Sequence, residues 1–307
     1  MTAPTFLDSA IRLEQQTIAL RRDLHQHPEL GFQEHRTARI VADNLTMLGL
    51  EVTSGIAETG VAAVIEGGKP GPVVLLRFDM DALPIVEQTG AAYASQNPGV
   101  MHACGHDGHV AVGLAVARLL AERRAELPGV YKLIFQPAEE GQGGAARMIE
   151  AGILENPKPD YALALHIWND RPFGWAGISD GPMMAAAEIF EIELTGKGGH
   201  GALPHTAVDP IVCAAQIINA LQTIVSRSAN PLETAVVSVT EIKAGDTYNV
   251  IPGTLFMQGT IRSFDAGIRD LILRRFEEIV RHTAAAGGCR VELKFISISP
   301  AVVNHPQ

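Results

Sequence analysis

Apolar residues recur at helical spacing from the start of the chain. Leu7, Ile11, Ile18 and Leu24 stand among charges, which predicts an opening helix over residues 7–25. A second helix over 33–48 ends at the stop signal Gly49. The pattern then changes. "GVAAVIEG" (60–67) and "GPVVLLRFDMDAL" (71–83) are predicted strands, the second a near-continuous apolar run of the kind buried on both faces of an α/β sheet. Helical period returns over 107–123. "VYKLIFQ" (130–136) reads as another buried strand, "GGAARMIEAG" as a short helix and "YALALH" (161–166) as a further strand. Strands alternating with helices predict a mainly parallel α/β sheet covered by helices.

From about residue 187 the spacing differs again. "EIFEIELTGK" alternates, and 208–227 is a helix opened by Asp209-Pro210. "TAVVSVTEIKA" and "GTLFMQGTIRSF" are two strands, 266–286 is a helix, and "CRVELKFISIS" is a last strand. This β-α-β-β-α-β order predicts an inserted ferredoxin-like domain. The expected division is 1–184 for the sheet domain, 185–300 for the inserted domain and 301–307 for the start of a return to the sheet. No internal repeat stands out.

Composition narrows the reading. The chain has 307 residues, 47% of them hydrophobic, enough for two cores. Net charge is −10 and no Lys/Arg cluster occurs, so no nucleic-acid partner is expected. The longest apolar stretch, around "AVGLAVA", is far short of a membrane span, and the N-terminal residues lack the pattern of a signal peptide. The 3 cysteines, Cys104, Cys213 and Cys289, are odd in number and widely spaced. They imply no disulfide framework, and the cytoplasm is the expected compartment.

The polar residues of interest follow the ends of predicted strands: Asp79 and Asp81, Glu139 and Glu140, then His166. Open α/β sheets place their sites there. Between them lies "MHACGHDGH" (101–109), with three of the chain's 11 histidines and one of its cysteines. Cys104 and His106, two apart, would point to one side of an extended backbone. Of adjacent Glu139 and Glu140, one can face a metal while the other faces water. Thiolate, imidazole and carboxylate together suit Zn²⁺, Co²⁺ or Mn²⁺ better than Mg²⁺ or Ca²⁺. Taken singly, each residue has a plainer reading: an inert buried thiol, a solvated acidic pair, a capping histidine. A thiol nucleophile with a histidine base is the other sharp reading, although two glutamates and several imidazoles crowd it.

"RFDMDALP", "MHACGHDGH", "FQPAEEGQGGAARMIEAG", "ALHIW", "GKGGHGALPHTAVDPI" and "YNVIPG" carry a resemblance. The chain resembles the aminoacylase/carboxypeptidase-type family of dinuclear metallopeptidases, and within it the hippurate hydrolase and indoleacetyl-amino-acid hydrolase branch. The likeness runs from "RRDLHQHPELGFQE" to about residue 304. It implies a zinc-peptidase-like catalytic domain with a lid and dimerisation domain inserted, and two divalent metal ions per active site. By resemblance, Cys104, His106, Glu140 and His166 match metal ligands, and Glu139 matches the general base. Asp81 matches the aspartate of an H-x-D-x-x-P pattern, a catalytic-site carboxylate that stands behind the metal ligands, and the histidine of that pattern is replaced here by Asp79. His200 matches a histidine that polarises the scissile carbonyl, in several relatives across a dimer interface. Asn249 matches a substrate-positioning side chain. Arg262 is the candidate for the substrate carboxylate, partly because guanidinium binds carboxylate in bidentate fashion. A loop histidine and an exposed strand arginine are the plainer readings of His200 and Arg262. His102 and His109 are read as orienting partners or structural groups, His25 and His27 as structural.

The implied activity is hydrolysis of N-acyl amino acids, hippurate-like, acetyl or indoleacetyl, by a homodimer formed through the lid domain. One departure stands beside this. Relatives continue past the point reached at "SPAVVNHPQ" and supply another ligand histidine, for which His305 is no substitute. The C-terminal part of the catalytic domain is therefore expected to be missing. The alternative expectation is a truncated, non-catalytic remnant acting as a dimeric binding module.

Overall fold

The computed structural model describes residues 5–306, which form two compact units divided between Trp175 and Ala176. The first contains α1 (Phe6–Gln26), α2 (His35–Met47), β1 (Val52–Ile56), β2 (Gly60–Glu66), β3 (Lys69–Asp79), α3 (His106–Arg123), β4 (Pro128–Gln136), α4 (Gly144–Glu150) and β5 (Tyr161–Ala164). Helix α1 begins where Thr5 and Asp8 cap one another: the Asp8 amide donates to Thr5 Oγ1 (3.1 Å) and the Thr5 amide to Asp8 Oδ2 (2.9 Å).

The sheet order is β1-β2-β4-β3-β5. It is mixed, which corrects the expectation of a mainly parallel sheet. Strand β3 runs parallel to β4 and β5, whereas β1–β2 and β2–β4 are antiparallel. Tight connections impose the reversals. Ala57–Thr59 turns β1 back into β2, with Ala57 and Glu58 at φ +48° and +76°, and only Gly67-Gly68 separates β2 from β3. Strand β1 escaped the sequence reading because "VTSGI" is short, polar and exposed.

Helical cover is uneven. Leu24, Val41, Leu45, Val110 and Leu114 of the three long helices pack on Val61, Ala63, Phe78, Leu133 and Phe135 of one face. Gly113 allows α3 to lie close, since a Cβ there would come within 2.7 Å of Phe78. The other face carries a smaller cluster of Ala62, Leu75, Ile134, Met148 and Ile153. Strand β3 stops at Asp79, earlier than the apolar run suggested. The Met80 amide still bonds to Gln136 O (3.0 Å), but that of Ala82 bonds to Glu29 O (2.8 Å), so the chain has left the sheet.

The second unit contains β6 (Gly181–Met184), β7 (Ala186–Thr195), β8 (Gly199–His200), α5 (Pro210–Thr223), β9 (Ala235–Lys243), β10 (Val250–Ile251), β11 (Thr254–Ser263), α6 (Ala266–Ala286), β12 (Arg290–Ser299) and β13 (Val302–Asn304). Strands β12-β7-β11-β9 form a sheet with every pairing antiparallel. This is the ferredoxin-like arrangement expected from the element order. Phe190, Ile192 and Leu194 of β7 alternate inward with Leu255, Met257 and Ile261 of β11. They meet Ile217 and Leu221 of α5 and Ile272, Phe276 and Val280 of α6. Asp209 and Asp265 cap the two helices, their Oδ1 atoms accepting from the Ile211 and Ile268 amides (2.8 and 2.9 Å). Among the described residues, no helix is long and apolar enough to cross a membrane.

Candidate metal centre

In the first unit, loops leaving the C-terminal ends of β3, β4 and β5 converge with the start of α3. His106 is the first residue of α3, and the preceding Gly105 is left-handed at φ +90°. That turn brings Cys104 and His106 to one site, where the sequence reading had relied on an extended backbone. Among the described residues, three groups of side chains lie close enough to hold a cation: Cys104, His106 and His166; Asp79, His106 and His109; His106, Glu139 and Glu140. His106 is common to all.

The His106 ring is fully buried and its orientation is fixed. Nδ1 donates to Asp81 O (2.9 Å) and lies 3.1 Å from Asp81 Oδ1. Nε2 is buried without a hydrogen-bond partner and faces Asp79 Oδ2 at 3.7 Å, Glu140 Oε1 at 3.9 Å and Glu139 Oε2 at 4.0 Å. Two donors sharing one Zn²⁺-sized ion at about 2.1 Å each lie at most about 4.2 Å apart, so these separations leave room for one. Electrostatics agrees with the geometry. Burial lowers the His106 pKa, but the Asp81 hydrogen bond, the Cys104 thiol and the charges of Asp79 and Asp81 outweigh it and bring it to about 11. The surroundings therefore demand positive charge at Nε2.

Outer contacts aim the other donors. Asp81 Oδ2 accepts from the Glu140 amide (2.9 Å), so one carboxylate orients both His106 and the glutamate turn. His166 Nδ1 bonds to Ile167 O (2.7 Å), leaving Nε2 at 3.3 Å from Cys104 Sγ. The imidazoles of His106 and His166 close by lower the Cys104 pKa, which favours the thiolate a ligand needs. Asp79 is gripped by His109 Nδ1 at Oδ1 (2.5 Å) and by Arg77 at Oδ2 (2.6 Å). His109 Nε2 accepts from the Ile167 amide (2.9 Å), so its proton sits on Nδ1 and its ring ties β3 to the segment after β5. Glu139 is pushed up by burial and by the charges of Asp79 and Glu140.

His200, Asn249 and Arg262 belong to the second unit. There β8 pairs with β10, setting His200 opposite Val250, and the Gly201 amide donates to Asn249 O (2.8 Å). The two sequence motifs thus meet. His200, with Gly198, Lys243, Asp246 and Pro252, lines a cleft of about 770 Å³. Arg262 lies at the other end of β11 from Thr254, which borders the same cleft; its guanidinium bonds to Thr260 Oγ1 and Ile261 O.

Comparison with known proteins decides the family. A model of peptidase family M20/M25/M40 matches residues 75–307. The chain belongs to this family. It is 44% identical over 292 residues to an N-acetyl-L-cysteine deacetylase of Bacillus subtilis, covering 95% of this chain and 70% of that protein. It is 44% identical over 291 residues to an N-acyl-L-amino acid amidohydrolase of Geobacillus stearothermophilus, covering 94% and 78%. Among solved structures, a dinuclear metal-binding peptidase of the M20 family from Bacillus subtilis aligns with a TM-score of 0.79 at 40% identity, over 96% of this chain and 77% of that one. As a member of peptidase family M20/M25/M40, the chain is a hydrolase acting on amide bonds.

The donor set fits the metal ions that the family implies, on two observations of this chain. Buried His106 Nε2 and Glu140 Oε1 are both without partners, and thiol, imidazole and carboxylate donors converge on one spot. The sequence reading placed Asp79 among the polar residues at strand ends and took His109 for an orienting partner or a structural group; in the structure the two are bonded to each other at the centre. His109 is three residues, one helical turn, beyond His106, a spacing that places it on the same helix face. His102 is buried with neither ring nitrogen bonded, and burial lowers its pKa to about 4. His25 is structural as expected, bonded to Asp107 (2.7 Å) and Glu87 (3.3 Å).

Proposed function

We propose that this chain is a metal-dependent N-acyl-amino-acid amidohydrolase, releasing a carboxylic acid and an amino acid from acetyl, hippurate-like or indoleacetyl substrates. The observation that carries the reading is His106 Nε2, buried and unpartnered among three carboxylates. Cys104, His106, Glu140 and His166 would hold two divalent ions, Zn²⁺, Mn²⁺ or Co²⁺. When bound, such ions polarise an amide carbonyl and acidify water. Glu139, its pKa raised by burial and by its acidic neighbours, takes the proton of the attacking water and returns it to the leaving nitrogen. Asp81 keeps His106 and Glu140 aimed; Asp79 with His109 completes the charged wall.

His200 would polarise the carbonyl, Asn249 would position the substrate and Arg262 would bind its carboxylate. From Thr254 to Arg262 strand β11 spans about 26 Å, longer than a small N-acyl amino acid. One copy of residues 185–300 therefore would not offer both ends to one substrate, which supports a homodimer formed through this lid domain. Three free cysteines suit the cytoplasm. The test is release of amino acid from an acetyl, benzoyl and indoleacetyl panel with Mn²⁺. Glu139→Ala is expected to lower kcat by about 10²- to 10⁴-fold with Mn²⁺ binding retained. No release by the wild type, or equal release by the variant, would overturn the reading.

A further inference from the structure

The glutamate turn after β4 is held in a conformation that its own residues disfavour. Ala138, directly before Glu139, has φ +50° and is fully buried. A side chain with a Cβ rarely adopts that region, and it persists where surroundings impose it. Two close approaches confine the turn. A Cβ at Gly144 would lie 1.7 Å from Pro137 O, and one at Gly31 would lie 3.0 Å from Ala138 Cα.

The group that fixes Ala138 is Glu34. Its side chain is fully buried, and Oε1 accepts from the Ala138 amide at 2.8 Å. Oε2 accepts from Thr59 Oγ1 at 2.6 Å, in the β1–β2 turn. Although Glu34 precedes α2, its side chain makes no cap to that helix. Burial pushes its pKa up against these hydrogen bonds, so the carboxylate sits there at a cost. Glu139 therefore lies between two anchored amides, Ala138 on Glu34 and Glu140 on Asp81.

We propose that Glu34 is a positioning residue for the glutamate pair, holding the backbone of Ala138 so that Glu139 and Glu140 face the metal centre. The inference rests on the amidohydrolase reading for its kinetic consequence, while its effect on metal binding is independent of turnover. Hydrogen-bond acceptance, not charge, is what the position requires. Glutamine keeps an acceptor for Ala138, and its amide can donate to Thr59 Oγ1 once that hydroxyl turns away.

The test compares Glu34→Ala, Glu34→Gln and wild type for kcat, KM, Mn²⁺ dissociation constant and melting temperature. Glu34→Ala is expected to lose about 10- to 100-fold in kcat and about 10-fold in Mn²⁺ affinity with KM within about 2-fold, as for other groups that orient ligands. Glu34→Gln is expected to restore most of both. Should Glu34→Ala not fold, Glu34→Asp, which withdraws the carboxylate by one methylene, carries the same expectation. Unchanged kcat and Mn²⁺ affinity in a folded Ala or Asp variant would overturn the proposal, as would a folded Gln variant as impaired as Ala. If the wild type hydrolyses no N-acyl amino acid, the amidohydrolase reading fails, and Mn²⁺ affinity alone then decides the role of Glu34.

Discussion

The two units use sheets and helices alike but spend their interiors differently. In the first, Asp79, Asp81, His102, His106, Asp107 and His109 are each no more than 3% exposed. Buried polar groups of this density need partners, and His106 Nε2 and Glu140 Oε1 have none. The second unit has an apolar core with rings of Phe190, Phe276 and Phe295 in contact, and among the described residues its one buried acid, Glu188, is paired with Arg269 at 2.6 Å. Its candidate functional residues, His200 and Asn249, lie exposed on short strands and turns. The first unit is built around a charge it must receive, whereas the core of the second is closed by apolar side chains.

That contrast can be broken by experiment. The largest effect is expected from Phe190→Ala, which removes a fully buried ring and should destabilise the second unit by about 3–5 kcal/mol. Chemical denaturation followed in parallel with Mn²⁺ titration should show the loss of stability with Mn²⁺ affinity unchanged. A change in affinity would mean that the units are not independent. Next, Mn²⁺ at 100 times its dissociation constant should stabilise the first unit by about 2.7 kcal/mol for each ion bound and leave the second unchanged. Hydrogen exchange read separately for Val110 and Ile272 would detect it.

A smaller effect concerns pH. In metal-free protein, Asp79 and Asp107 are depressed by His109, His25 and the nearby arginines. Their contribution to stability is present above the unfolded carboxylate value and is lost as pH falls through the folded ones. His106 is raised to about 11, so its contribution is present below about 6.5 and is lost as pH rises through the folded value. An incoming cation must displace the His106 proton, so Mn²⁺ affinity should rise about tenfold per pH unit near neutrality. Titration at three pH values checks this, and a flat response would remove His106 from the ligand set. The smallest effect is expected from Asp209→Ala, which uncaps α5 and should cost the second unit about 1 kcal/mol without touching Mn²⁺ binding.

Much of this was legible in the sequence because long elements announce themselves by period. The helix at 266–286 coincides with α6, and the β-α-β-β-α-β order gave the ferredoxin-like sheet. What failed had physical reasons. Strand direction is set by connections such as Gly67-Gly68, and no hydrophobic pattern encodes that β4 inserts between β2 and β3. Cys104, His106, Glu139, Glu140 and His166 were readable as donors because their residue types are chemically distinctive. Glu34 was not, since an acid before a helix has an ordinary local reading, and His109 was read only as an orienting partner or a structural group, without its partner. Their partners, Ala138 and Asp79, lie 104 and 30 residues away.

The central claim is that the first unit contains a metal centre organised by His106. The most direct test is Mn²⁺ stoichiometry by elemental analysis, on wild type and His106→Ala purified without chelator, soaked in Mn²⁺ and desalted. The account predicts two ions per wild-type chain and a loss of both in a variant that remains folded. A wild type that retains fewer than one ion per chain, or a variant that retains as many as the wild type, would contradict it.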